Sequence, residues 1–563
     1  MKTQKIVLAA LFLGGLVLNV SAQDKPLPKD TGVISNENVI VVAEYDPTLM
    51  DFPKKNSVPQ IENNVVPRTD IKYTVFPQPM KIAYQTMPIK AAKMSGEPFT
   101  ELYGNYIKAG FGTGRTPYGE LFLSTKRDKS KSVGLHMKHF STNGKVPDYA
   151  FAGNSENAVD LYGSKIRTRS TLYGKLFFHR DVVHYYGFKP AEILDTLEND
   201  DYKQRYNDAG GKFAWYSTHS DSTHLNYRLN FDYHGFWDIN NASENSGELS
   251  GFLNKRVQML GITKYQVIGV RVDAQHYFNN RNYTSFNAGL VEITPFINAN
   301  FGKIFLEVAP KLAMETDSTS EAYFYPYIRM ELNLLPGTIS AFGGWDGGIT
   351  YNSYRLLANE NPYIHRFVNT EYSNTRRKIY GGVRGNIARS FSYTIQAIQR
   401  DINHAPMFVN DTLTYMNNWM GVVYDSIRWF RGEFNSELKI KEKWKAYLTV
   451  AYNQAEAVNE AEVWNMPSFE GMIGIGYNLA DKFLISTRVY YTGKRFARQK
   501  TDAGFVVNSL DPFIDANLSF EYRYSKVLSA FLQFNNIAAQ RYMIWNQYPS
   551  YRFRFWGGVT YSF

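Results

Sequence analysis

The chain contains no cysteine. Disulfides, thiol nucleophiles, thiolate metal sites and a lipid-modified cysteine are excluded on that ground. After the first 20 positions there is no run of about 18 apolar residues, so no transmembrane helix is encoded. A membrane barrel passes unseen through that test, because half of its residues face a polar lumen. No charge sign dominates any region. The formal net charge of +10 becomes +8 once Lys2 and Lys5 are set aside (10 − 2), and the excess is spread thinly. With no basic helix and no recognised nucleic-acid motif, a nucleic-acid partner is not expected.

Lys2 and Lys5, then the apolar stretch Ile6 to Leu18, then Val20-Ser21-Ala22 before Gln23, form the pattern of an export signal over residues 1–22. Residues 23–102 differ from everything after them. Prolines recur at Pro26, Pro28, Pro47, Pro53, Pro59, Pro67, Pro77, Pro79, Pro88 and Pro98. Each fixes φ and removes a donor, which predicts an extended periplasmic or lumenal segment rather than helices or central strands. Within it, Glu37-Asn38-Val39-Ile40-Val41-Val42-Ala43 carries a β-branched run suited to adding a strand to a partner's sheet edge.

From residue 103 to 563 a period of two takes over. In His224 to His234, Leu225, Tyr227, Leu229, Phe231 and Tyr233 alternate with Asn226, Arg228, Asn230 and Asp232. Trp444, Ala446, Leu448, Val450 and Tyr452 share a face, as do Phe483, Ile485, Val489 and Tyr491. Ile514, Ala516, Leu518, Phe520 and Tyr522 oppose Asp515, Asn517, Ser519, Glu521 and Arg523. One face suits hydrocarbon and the other water. Length would suggest about four domains, but one unbroken pattern argues for one.

The fold class predicted is all-β: a transmembrane antiparallel β-barrel of about 22 strands. They begin near Tyr103, Tyr118, Ser132, Asn157, Thr171, Arg205, His224, Glu248, Ile262, Tyr283, Ile304, Tyr323, Thr338, Lys378, Phe391, Trp419, Trp444, Phe469, Phe483, Phe513, Val527 and Arg552. Short connections such as Lys441-Glu442-Lys443 alternate with long ones, among them 141–156, 188–203, 352–377, 401–418, 454–468, 496–511 and 536–550. Short periplasmic turns and long external loops produce that rhythm. An even strand count puts both termini on the periplasmic side of the cell outer membrane. Tyrosines near strand ends, as at Tyr185-Tyr186 and Tyr490-Tyr491, suit the bilayer interface.

The last strand ends on the alternating residues Val559, Tyr561 and Phe563, the pattern of a closing strand whose terminal aromatic is read by the barrel-assembly machinery. Upstream stand Phe534-Asn535-Asn536, Arg541-Tyr542, Trp545 and Tyr548-Pro549. The whole segment resembles the C-terminal end of TonB-dependent receptors, although Ser550-Tyr551-Arg552 replaces the Gly-Arg that often follows that proline. The run 37–43 likewise resembles a TonB box. The resemblance implies a 22-stranded barrel, a ligand receptor or transporter, and TonB as partner. It also implies a plug of well over a hundred residues, where 23–102 supplies 80 (102 − 23 + 1). The lumen is therefore filled by the N-terminal segment, by inward-folding loops or by another envelope protein.

No catalytic site is expected: no Ser-His or carboxylate pair stands at usable spacing. No metal or other cofactor is expected either. His179 and Asp181 share a strand face from which His184 turns away, and His136 and His139 lie on opposite faces. Two functions remain: ligand transport or reception with a reduced or missing plug, and a non-transporting barrel subunit of an outer-membrane assembly or export complex.

Overall fold

The computed structural model describes residues 104–563, apart from 126–127, 194–196, 219–223, 259–260, 262, 264, 282–283, 317–319, 389, 411–415, 417 and 502–503. The export signal, the proline-rich segment and the 37–43 run lie outside the described residues.

The strands are β1 Tyr106–Gly112, β2 Thr116–Ser124, β3 Lys131–Thr142, β4 Asn154–Ile166, β5 Ser170–His184, β6 Lys203–Ser217, β7 Asn226–Asp238, β8 Ala242–Val257, β9 Gln266–Arg281 and β10 Thr284–Phe301. Next come β11, Ile304–Val308 with Lys311–Glu315, and β12, Ala322–Tyr325 with Ile328–Leu335. The remainder are β13 Ile339–Tyr351, β14 Tyr372–Ile387, β15 Phe391–Asn410, β16 Met420–Ile440, β17 Trp444–Ala457, β18 Phe469–Leu479, β19 Phe483–Thr492, β20 Phe513–Arg523, β21 Leu528–Asn535 and β22 Arg554–Ser562. Each pairs antiparallel with its sequence neighbours, and β1 pairs with β22 from Tyr106↔Ser562 to Gly112↔Trp556, so the sheet closes into a 22-stranded barrel.

The predicted strand positions hold along the ring. Those expected near Glu248 and Lys378 begin earlier, at Ala242 and Tyr372. β11 and β12 are each broken at a proline, Pro310 and Pro326, which has no N–H to give the ladder; Ala309 N still donates to Tyr327 O (2.9 Å) across the gap. Several segments expected to be loops are ladder. β15 continues through the expected loop to Asn410, while 496–511 is mostly a hairpin, Arg495–Thr501 with Gly504–Leu510. About ten residues cross a bilayer, so these long strands project well beyond it. Their outer ends have a core of their own, in which Ala405, Met407, Val409 and Ile427 pack with Val463 and Trp464.

Outward positions are the apolar ones. Phe231, Tyr233, Ile514, Val559 and Tyr561 are exposed, with no second layer over them among the described residues. Inward positions carry charge pairs across strands: Lys175–Asp160 at 3.0 Å and Lys311–Asp346 at 2.8 Å. At the short-turn end, Ala480 and Asp481 both take positive φ (54° and 56°) in a three-residue hairpin connection, where Lys482 N donates to Leu479 O (3.0 Å). Asn478 offsets their strain by donating to Asp481 Oδ1 (2.7 Å) and accepting from Asp481 N (3.0 Å). At the closing seam Gly110 faces Gly558, where a Cβ on Gly558 would fall inside the van der Waals radius of Ala109 O.

Candidate functional site at the long-loop mouth

The ring brings together what the sequence separates. The connections β5–β6, β13–β14 and β21–β22 leave the same end of the barrel. They are spaced eight, eight and six strands apart (6 to 14, 14 to 22, and 22 round to 6). With strands about 4.8 Å apart and tilted by about 40°, a 22-stranded ring is roughly 40 Å across. Loops so placed can touch only by reaching over the opening, and these do.

Helix α1, Tyr354–Glu360, anchors the β13–β14 connection. Ser353 caps it by accepting from Leu356 N (3.2 Å), and Tyr354, Leu357 and Ala358 form its buried face. The helix start is held by the barrel wall: Tyr354 N donates to Glu244 Oε2 (2.7 Å) and Tyr354 Oη to Asp238 Oδ2 (3.0 Å). Beyond the helix, Ile364 bridges to Met420, with His365 N donating to Met420 O (3.0 Å) and Met420 N to Tyr363 O (2.9 Å).

The β5–β6 connection arrives from one side. Tyr185 Oη donates to Ile364 O (2.8 Å), and Tyr186 Oη donates to Pro549 O (2.9 Å). The β21–β22 connection arrives from the other as a small hairpin, Met543–Trp545 with Tyr548–Pro549. Tyr548 is fully buried, stacks on Tyr363 at 3.8 Å between centroids, meets the edge of Tyr186 at 5.1 Å and donates to Asn418 O. Tyr551 Oη reaches Ala152 O in the β3–β4 connection. Burial holds the hydroxyls of Tyr186, Tyr354, Tyr363 and Tyr548 well above the usual tyrosine range, and burial also raises the Glu360 carboxyl. The result is a tyrosine-rich lid made of loops from around the whole ring.

Beside the lid, on the lumenal side of β10–β15, lies a cavity of about 470 Å³. Its walls include Glu315, Glu321, Tyr323, Tyr351, Glu371 and Tyr372. A second recess of about 330 Å³ shares Phe286, Thr370 and Glu371 with it and adds Arg281.

Histidines assemble differently from their sequence spacing. Cross-strand register places His136 on β3 and His179 on β5 against the same carboxylate, Asp160 on β4, at 3.6 and 3.1 Å; Glu120 is 3.2 Å from His136. His184 instead bonds Gly153 O (2.5 Å). Among the described residues no group of three His, Asp or Glu is placed to hold a metal. At the seam, Val559, Tyr561 and Phe563 point outward, and Phe563 N donates to Asn105 O (2.9 Å).

No known family profile matches the chain, and no curated protein matches it. Solved structures do. The pyoverdine outer membrane receptor FpvA from Pseudomonas aeruginosa, bound to pyoverdine, superposes with TM-score 0.62 at 11% identity, over 82% of this chain and 79% of that one. The siderophore receptor PirA from Acinetobacter baumannii gives 0.61 at 9%, over 82% and 80%. The FrpB iron transporter from Neisseria meningitidis gives 0.60 at 10%, over 83% and 82%. The fold is therefore that of an outer-membrane receptor barrel. It is the 22-stranded, TonB-dependent-receptor-like barrel that the final strands resemble.

Proposed function

We propose that this chain is an outer-membrane receptor that binds a ligand at its outer mouth and admits it when the loop lid opens. The observation that carries this reading is the meeting of Tyr186, Tyr363 and Tyr548 from three connections round the ring, with a ligand-sized cavity walled in part by Thr370 and Glu371 of the same β13–β14 connection. The fold of siderophore and iron receptors supports it. In this reading residues 1–22 are the export signal, 23–102 the periplasmic or lumenal segment and 103–563 the barrel. The barrel sits in outer-membrane lipid with both termini periplasmic, Glu37 to Ala43 pairs with TonB, and Val559, Tyr561 and Phe563 are the assembly signal. The protein is a transport receptor rather than an enzyme.

The absence of cysteine makes a clean test available. Ile364 and Met420 face each other in a β-bridge, a separation that suits a disulfide. In Ile364→Cys/Met420→Cys cells, energised uptake of the ligand should stop under oxidation and return with reductant. Deleting Glu37 to Ala43 should stop it irreversibly. Uptake indifferent to both, or none in the unaltered protein, overturns the transport reading. That outcome favours the non-transporting subunit of an assembly or export complex, for which a permanently shut mouth is suitable.

A further inference from the structure

We propose that the 470 Å³ cavity is a binding site for an organic cation, an amine- or guanidinium-bearing molecule such as a basic peptide. The proposal rests on the receptor reading and names the ligand class of that site. The volume lies in the usual range for small-ligand sites, about 300–1,000 Å³. Its charged lining is Glu315, Glu321, Glu371 and His404, the last held 2.9 Å from Glu371. Aromatic faces accompany the carboxylates: Tyr323 stacks on Tyr325 (6.1 Å) and Tyr351 lies against Tyr372 (5.0 Å). Carboxylates beside tyrosine rings attract a cation by charge and by the negative face of the ring.

Two further observations are independent of that lining. Asn279, 3% exposed behind the cavity wall, donates through Nδ2 to Tyr351 Oη (3.3 Å) and fixes that ring, while its buried Oδ1 has no protein partner. On the lumenal wall of β7–β10, like charges stand directly opposite one another, Asp273 facing Glu292 and Asp232 facing Glu248. Such pairs destabilise a sheet; Lys212 and Arg355 already act on Glu248, and Lys311 and Arg271 on Asp273, and a passing cation would add to that relief. Lys311 is committed to Asp346 at 2.8 Å, and Lys212 sits 4.0 Å from Asp232 at the far end of this stripe. Arg281 lines the adjoining recess and is engaged there, donating to Val368 O and to Thr370 Oγ1 (3.3 Å). An organic cation fits better than a bare metal ion, since among the described residues no three ligating side chains converge.

The test uses the full chain in detergent micelles with two fluorescent probes of equal length, tri-arginine and tri-glutamate. Tri-arginine should bind, weaken with added salt and lose at least tenfold affinity in Glu321→Gln/Glu371→Gln. Heat-dependent gel migration verifies that the variant barrel is intact. Unchanged affinity in the variant, equal binding of tri-glutamate, or binding of neither probe overturns the proposal. If the Ile364→Cys/Met420→Cys lock gates uptake while tri-arginine fails to bind, only the cation assignment falls. If tri-arginine binds but the lock has no effect, only the receptor reading falls.

Discussion

Tyr548→Ala should open the lid without opening the barrel. The ring is completely buried between Tyr363 and Tyr186, and its hydroxyl satisfies Asn418 O. Truncating a buried aromatic to alanine costs about 3–5 kcal/mol. At about 1.4 kcal/mol per factor of ten, lid opening should rise by roughly 150-fold to several thousand-fold. Tyr548→Phe keeps the stacking and strands one buried acceptor, so about 1–3 kcal/mol is expected. The barrel ladder contains neither Tyr548 nor its ring partners, so the β1–β22 seam should be untouched. Hydrogen exchange read by mass spectrometry measures both at once. Peptides covering 185–202, 352–371 and 536–553 should lose protection together, more in Ala than in Phe, while β1–β22 amides and heat-dependent gel migration stay unchanged. Loss confined to 536–553 would refute a lid that closes as a unit, and equal loss in the strands would refute its independence from the barrel.

Alkaline pH should act on the same element. Folded pKa values of Tyr354, Tyr363 and Tyr548 are raised above the ordinary value of about 10 by burial, so their stabilising effect is complete below that value and disappears as pH rises through the folded values. Lid exchange should be flat to about pH 10 and then rise with tyrosinate absorbance; protection lost near neutrality would contradict this. On the barrel wall, Phe231→Arg should cost about 2–4 kcal/mol in unfolding from lipid, while lumen-facing Asn230→Arg should cost far less; equal costs would contradict the inside–outside assignment. Removing Phe563 should lower the amount of protein reaching the outer membrane, read by fractionation, with little effect on the stability of molecules that do insert.

The barrel was legible because its signal is local. Alternation along each strand needs only neighbours in sequence, and one wet face against one oily face repeats in every segment. Strand ends were less legible: β15 continues past Asp401 because its outer residues pack on Val463 and Trp464, distant contacts that no window in 391–410 contains. The same limit hid the lid. Tyr186 and Pro549 are 363 positions apart, and only the closed ring makes them neighbours. Tyr542 and Tyr548-Pro549 were visible as parts of a resemblance, without their roles. Tyr542 stacks on Phe513 at 3.8 Å, and Tyr548 sits at the middle of the lid. His136 and His179 look unrelated along the chain; strand register alone delivers both to Asp160.

The spacing of the three lid loops sets an order of assembly. Tyr186 and Tyr548 come within reach of each other only after the first and last hairpins have met. A half-inserted sheet therefore has no seal to form, and the seal cannot trap an unfinished barrel. Cell-surface protection of 536–553 should accordingly follow the zipping of β1 onto β22 rather than precede it.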